Sequence, residues 1–408
     1  MDRGTALAPL REQNFRWYYA SSAVNMVGNT MAPVALAFAV LHVSDSPSAL
    51  GAVLAASTIP MVVFLLAGGV LADRLPRALL LQVGGFVLAA TQGLAAYLVI
   101  SGTAELWMLI VLEALNGTAL ALIFPAYAGL LPQLVPRELL QQANVLQAVA
   151  RGTLRVLGPT AAAWLVVGAG AGWALAVDAI TWALASVLMA RVSVPPRIRT
   201  GEETTTLGEL REGWTFFRST TWLWVVVLAF AFLNAIHAGA WLTLGPAVAK
   251  ETIGAKGWGY ALSAESVGLL LTTAIMLRRR LERPLLVGML TISALALPLV
   301  LLGATHAVVP VVIGAFVAGA GIEVFNLGWN LAMQEHVEER MLSRAYSYDA
   351  LGSLIAMPVG QLAYGALGVT FGFKEVLVIS GIAYAAIALA TLGSRSVREL
   401  RRAELVAV

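Results

Sequence analysis

Twelve apolar runs, each long enough to cross a bilayer as a helix, recur along the chain and leave it few folds to choose from. A hydrocarbon core ~30 Å thick takes ~20 residues at 1.5 Å each. Runs of that kind fall at about 17–41, 49–72, 78–100, 106–131, 143–167, 172–190, 222–248, 258–277, 285–303, 307–333, 345–368 and 374–393. Charged residues make up only 12% of the 408, against roughly 25% in a soluble domain. The expected fold is an all-α membrane protein with twelve transmembrane helices.

Its orientation follows from the cations, because Lys and Arg accumulate in short loops that stay in the cytoplasm. With the N-terminus inside, the inner loops hold Arg74, Arg77, Arg137, Arg191, Arg197, Arg199, Arg211, Arg218, Arg278, Arg279, Arg280, Arg283 and Arg340. The opposite loops hold Lys250, Lys256 and Lys374. Both termini are therefore expected in the cytoplasm, the chain being multi-pass in the plasma or inner membrane. The net charge of +3 is spread as the membrane rule demands, so the lipid bilayer, not nucleic acid, is the expected partner. With no cysteine, disulfides, thiolate metal sites and cysteine nucleophiles are excluded. The first run is too long for a cleavable signal and lacks a small-residue processing site, so it is expected to serve as its own insertion signal.

The long polar stretch from Arg191 to Thr220 divides the runs six against six. The expected domains are an N-terminal six-helix bundle (1–190), a cytoplasmic linker (191–221), a C-terminal six-helix bundle (222–395) and a cytoplasmic tail (396–408). Within the linker, Leu207, Leu210, Trp214 and Phe217 share one helical face, the pattern of an interfacial helix; a flexible linker throughout is the alternative. The halves echo each other, making the two bundles pseudo-symmetric. The basic turn Ala72-Asp73-Arg74-Leu75-Pro76-Arg77 aligns with Arg278-Arg279-Arg280-Leu281-Glu282-Arg283, and Gly158-Pro159 aligns with Pro358-Val359-Gly360. Two six-span repeats are a recurring transporter plan.

These residues carry a resemblance to the major facilitator superfamily of transporters. Gly69, Asp73, Arg74 and Arg77 match its signature turn between helices two and three, with Pro76 and Ala78 departing from it. Gly158-Pro159 resembles the Gly-Pro core of its antiporter motif, with the flanking glycines softened. Leu130-Leu131-Pro132-Gln133-Leu134-Val135-Pro136, and Phe325-Asn326 through Ser347-Tyr348-Asp349, resemble the branch of siderophore and macrolide exporters. The resemblance implies that spans 1, 2, 4, 5, 7, 8, 10 and 11 line a cavity while 3, 6, 9 and 12 support them. It also implies that Asp73 and Arg77 help hold the inner face shut.

An ionisable side chain inside a span costs ~2.5–3.5 kcal/mol on insertion scales, so each is a candidate for coupling, binding or an internal ion pair. Glu113, in Glu113-Ala114-Leu115-Asn116-Gly117, lies ~12 Å deep. It stands where the family's antiporters commonly carry an arginine, and is expected to face the cavity as a proton carrier or to pair with Arg151 or Arg155. The two arginines share a face of span five at i and i+4, and either Glu113 or an anionic substrate would balance them. Asn25 and Asn29 share a face of span one and either contact substrate or join helices. Asp178 reads as a shallow structural cap. In the second half, Asn234, His237 and Glu265 form a candidate polar patch in which Glu265 is protonated or pairs with His237. Glu323, Asn326 and Asn330 form one stripe of span ten, and with Arg344, Asp349, Asp73 and Arg77 they are expected to form a cytoplasmic gate of ion pairs.

There is no Gly-x-x-x-x-Gly-Lys-Ser/Thr loop to bind a nucleotide phosphate, and no metal-ligand spacing or nucleophile–base pattern. Neither enzyme nor cofactor is expected. The reading that follows is a proton-coupled antiporter, expected to be a monomer, that exports hydrophobic or amphipathic small molecules by alternating access. A proton symporter taking up a polar nutrient is the alternative, and a non-transporting receptor or channel a second.

Overall fold

The chain alternates between helices too apolar to stay in water and connections too short to do anything but reverse direction. The computed structural model describes residues 7–74, 76–136, 139–193, 214–276 and 281–402, without the side chains of 65–74, 77 and 339–344 and a few others. Among them there is no strand, and twelve helices are long and apolar enough to cross a membrane. They are α1 (Gln13–Ser44), α2 (Pro47–Arg74), α3 (Arg77–Ser101), α4 (Leu106–Leu130), α5 (Leu140–Ala169) and α6 (Ala171–Met189). The second set is α7 (Thr221–Glu251), α8 (Gly254–Met276), α9 (Pro284–Ala304), α10 (Val308–His336), α11 (Tyr348–Phe371) and α12 (Phe373–Gly393). Each expected span coincides with one of these helices.

Glycine makes the tightest reversals. Gly170, at φ 101°, is the whole connection between α5 and α6, and Gly372, at φ 90°, is the whole connection between α11 and α12. A side chain is strained in that left-handed region. The same one-residue turn thus recurs at the same place in each set of six.

The chain divides into two compact units, Met1–Arg199 and Thr200–Val408. In the first, α2 packs on α4, α3 on α4 and α6, and α1 on α5 and α6. In the second, α8 packs on α10, α9 on α10 and α12, and α7 on α11. Inside lipid, such contacts rest on van der Waals fit and small residues more than on a hydrophobic drive. Gly117 of α4 lies against the Ser57 carbonyl of α2, and Gly319 of α10 against the Glu265 carbonyl of α8. Gly158 of α5 meets Thr30 of α1, and Gly360 of α11 meets the Ala235 carbonyl of α7. The Gly-Pro segment that echoes between the halves is therefore a point of close helix approach in each. At one end of the first unit Phe15, Tyr18, Leu81, Leu88, Leu130 and Trp182 form a packed core.

Two local features depart from the sequence pattern. The middle of α7, His237–Leu244, is a π-helix, with the Thr243 hydroxyl donating to the Ala238 carbonyl at 2.9 Å; π segments cluster at functional sites. The expected interfacial helix is described only from residue 214, where the chain is helical to 219; Leu207 and Leu210 lie outside the described residues. Trp214 and Phe217 stack at 5.7 Å and both contact the Tyr348 ring of α11.

Candidate functional site

In the first unit the polar residues converge on α4. Gly117 lets α2 come close enough for Ser57 to hydrogen-bond the Glu113 carboxyl one turn away. Asn116 Nδ2 donates to Glu113 Oε1 at 3.2 Å, and the Thr91 hydroxyl of α3 donates to Asn116 Oδ1. Glu113 is 5% exposed and Asn116 is buried. A chain Thr91–Asn116–Glu113–Ser57 thus ties α2, α3 and α4 together around one carboxyl.

Arg151 and Arg155 do not join it. Both are exposed on α5, and the reason lies in the packing: α4 is seated on α2 and α3, whereas α5 is seated on α1 and α6. Although α4 and α5 are neighbours in sequence, they are not packed on each other, so the expected Glu113–arginine pair is replaced by neutral amide and hydroxyl partners. Nor does the Glu113 side chain lie open on a cavity wall.

Asp178 of α6 is not the shallow cap expected of it. It is 1% exposed, Gly28 of α1 is packed against its carboxyl, and it lies within electrostatic range of Glu113. Neither Asp178 oxygen has a hydrogen-bond partner among the described residues. Leaving a buried polar atom unpaired costs ~1–3 kcal/mol, more for a charge. Asn25 lies one turn from Gly28, accepts from Asn29 Nδ2 at 2.5 Å, and keeps its own Nδ2 buried and unpaired among the described residues. Ser22 donates to Gln147 Oε1 at 3.1 Å, linking α1 to α5, and Gln147 Nε2 is likewise buried without a partner. The face of α1 between α5 and α6 is therefore a polar seam with donors and acceptors to spare.

In the second unit Asn234 Nδ2 donates to the Ser353 carbonyl of α11 at 3.3 Å. His237 opens the π segment with Nε2 buried and, among the described residues, without a hydrogen-bond partner, so Glu265 makes no hydrogen bond to that nitrogen. The Glu265 carboxyl is instead within electrostatic range of Tyr384 on α12. The α10 stripe splits: Glu323 is buried and accepts from the Thr273 hydroxyl of α8 at 2.7 Å, while Asn326 and Asn330 are exposed. Asn330 Oδ1 accepts from the Tyr346 hydroxyl at 3.0 Å, and Asp349 Oδ2 accepts from Trp329 Nε1 at 3.0 Å. These bonds fasten α10 to the start of α11. Gly69, Asp73 and Arg74 lie in the last turns of α2, and Arg77 opens α3 behind Pro76; their side chains and that of Arg344 lie outside the description.

Ser57, Thr91 and Thr273 carry hydrogen bonds to these networks and were not singled out from sequence. The usable signal was a hydroxyl inside an apolar span within reach of a carboxyl or amide, which needs the packing to be recognised.

Residues 4–407 match the major facilitator family model described as transmembrane secretion effector. The chain is 24% identical over 403 residues to the uncharacterized MFS-type transporter YfiS of Bacillus subtilis (strain 168), covering 94% of this chain and 93% of that one. To macrolide efflux protein A of Streptococcus pyogenes it is 20% identical over 396 residues, covering 95% and 97%. Among solved structures, the nucleoside transporter NupG superposes with a TM-score of 0.74 at 14% identity, over 93% of this chain and 98% of that one. A bacterial homolog of the human lysosomal transporter Spinster, inward-facing and unoccupied, gives 0.72 at 13% identity, over 97% and 99%.

Proposed function

Because the chain belongs to the transmembrane secretion effector family of the major facilitator superfamily, and is thus a multi-pass membrane transporter of a small-molecule substrate, we propose that it is a proton-coupled antiporter exporting hydrophobic or amphipathic solutes. The observation that carries this reading is Glu113: a buried carboxyl in mid-span whose hydrogen-bond partners, Asn116 and Ser57, are neutral. A carboxyl held by neutral donors has its charge balanced by no neighbour and exchanges it for a proton, whereas a carboxyl locked to arginine keeps it.

Asp178, buried on α6 with neither carboxyl oxygen paired among the described residues, is the second candidate. Glu265 and Glu323 rank behind them. Protonation shifts the population between outward and inward states, with one proton entering as a solute leaves. Asp73 and Arg77, with the α10 stripe and Asp349, act at the gate on the arginine-rich side, which faces the cytoplasm together with both termini. The antiporter-like Gly158-Pro159 supports export, as does the name of the macrolide efflux relative. Uptake of a polar nutrient has the nucleoside transporter's name on its side, but that likeness, at 14% identity, speaks only for the fold.

The test is purified protein in liposomes with an internal pH-sensitive dye, an imposed proton gradient, and a panel of macrolides and hydrophobic dyes. Wild type is expected to move protons when a transported compound is added, and Glu113→Gln to bind the compound without proton movement. Transport with no proton flux would sink the coupling. Proton-driven accumulation in the opposite sense would replace export with uptake.

A further inference from the structure

Where α7 and α11 begin, on the arginine-rich side, the second unit carries a cleft that the polar networks do not use. Its volume is about 520 Å³, within the ~300–1,000 Å³ of sites that take a small ligand. Trp214, Phe217 and Tyr348 form one wall, their rings in contact at 5.6–5.8 Å. Leu228 and Ala231 of α7 and Ile355 of α11 continue it inward. Gly352 lets the two helices close behind it: a Cβ there would come within 2.5 Å of Val227 Cγ1.

Among its described lining residues the one charged side chain is Arg218, at the mouth, and no acid faces it. Along α7 the cleft runs inward to Ala231, ten residues from the helix start at Thr221 or ~15 Å along the axis, with Arg218 before that start, across the break at Thr220. That is about the depth of one leaflet in a ~30 Å hydrocarbon core. Exposed apolar side chains extend the lane: Trp224, Leu228 and Phe232 at i, i+4 and i+8 on α7, and Leu351, Ile355 and Val359 at the same spacing on α11. Singly, exposed apolar residues are ordinary for a helix in lipid. Concave, one leaflet deep, walled by aromatics and carrying a lone guanidinium at the interface, they describe a shape with a long apolar body and an anionic head.

We propose that this cleft binds one anionic phospholipid of the leaflet on the arginine-rich side, an acyl chain lying between α7 and α11 and the phosphate on Arg218. A guanidinium offers a phosphate two parallel hydrogen bonds, which a zwitterionic headgroup partly neutralises with its own amine. The aromatic wall fixes where the headgroup stops. The linker helix, through Trp214 and Phe217, is then held to α11 by the lipid as well as by ring contacts. The assignment depends on the chain spanning a membrane and not on the antiport reading.

The test is native mass spectrometry of the intact chain released from nanodiscs of equal phosphatidylglycerol and phosphatidylethanolamine. Wild type is expected to retain one phosphatidylglycerol, favoured several-fold. Ala231→Trp, which fills the cleft, loses the retained lipid. Arg218→Gln keeps a lipid but brings the two headgroups toward parity, and Arg218→Lys restores part of the preference. Melting temperatures show which variants are folded, and Leu228→Trp replaces Ala231→Trp if the latter is not. A wild type that sheds every lipid, a filled cleft that retains as much as wild type, or an Arg218→Gln protein with undiminished preference overturns the assignment. So does retention of a hydrophobic dye or detergent in place of lipid, with no dependence on Arg218.

Discussion

Replacing Gly117 with alanine adds a single methyl where α4 touches the α2 backbone. The new Cβ would lie 2.7 Å from the Ser57 carbonyl carbon and 2.9 Å from its Cα, with the oxygen closer still, whereas ordinary contact begins at 3.4 Å. A carbonyl in mid-helix cannot swing aside as a side-chain tip can, so α2 and α4 must part by at least ~0.7 Å, the shortfall of the carbonyl carbon from 2.7 to 3.4 Å, and by more to clear the oxygen. A gap of 0.5–1 Å forfeits between a quarter and a half of each van der Waals well of ~0.1–0.2 kcal/mol. Over the ~50 atom pairs of a tight contact that is ~2–3 kcal/mol. Alanine's better helix propensity returns ~0.5–1, leaving a net loss of ~1–2.5 kcal/mol. The assay is equilibrium unfolding in mixed micelles with increasing dodecyl sulfate, comparing Gly117→Ala with Gly168→Ala, whose added Cβ would meet nothing within 4 Å. Gly168→Ala is expected to match wild type or exceed it slightly. If both variants are equally stable, the close approach of α2 and α4 is not a constraint and the reasoning fails.

Four further outcomes follow from single contacts. Thr91→Val removes the hydroxyl that reaches Asn116 and is expected to cost ~1–2 kcal/mol in the same unfolding assay, because the amide acceptor stays buried. Thr273→Val strands Glu323 in the same way, with a similar loss; no change would mean that water or another donor replaces the hydroxyl. Asp178→Asn, which swaps a buried carboxyl for a neutral amide at a site where neither oxygen has a partner among the described residues, is expected to leave stability within ~1 kcal/mol of wild type or above it, while altering the pH dependence of proton movement. Arg402→Ala loses the 2.9 Å contact to Glu335, whose side chains are 36% and 18% exposed. It is expected to cost ~0.5–1 kcal/mol in dilute buffer and less in 1 M salt.

The spans could be read from sequence because length and hydropathy decide them, whereas the one-residue turns at Gly170 and Gly372 appear only in the structure. What could not be read was facing. These helices are apolar nearly all round, so no stripe says which side of α4 meets which neighbour. Glu113 was recognisable as an ionisable group in lipid, but its partners were sought on α5, the next span in sequence, when α2 and α3 are the helices packed on α4. Counting from a span end makes Asp178 look shallow, and the close fit of Gly28 that buries it belongs to α1, about 150 residues away. Glu323 grouped with Asn326 and Asn330 by spacing alone, yet Thr273 draws it to the α8 side. Nothing in the sequence of His237–Leu244 marks a π-helix; in the structure Gly239 within it meets Tyr364 of α11 and Gly245 just after it meets Trp258.

That π segment gives α7 a phase of its own. Each residue of an α-helix turns the chain by ~100°, and a π turn absorbs one residue more than an α turn. Leu228 and Val227 before it are angled toward the α11 cleft, while Gly245 after it is angled so that the outer edge of the Trp258 ring fits against it. Deleting a residue between them would leave a span long enough to cross the membrane and every side chain chemically intact, yet one end would be rotated out of agreement with the other. Substitutions in this stretch test individual contacts, but a deletion tests the timing between two ends of one helix.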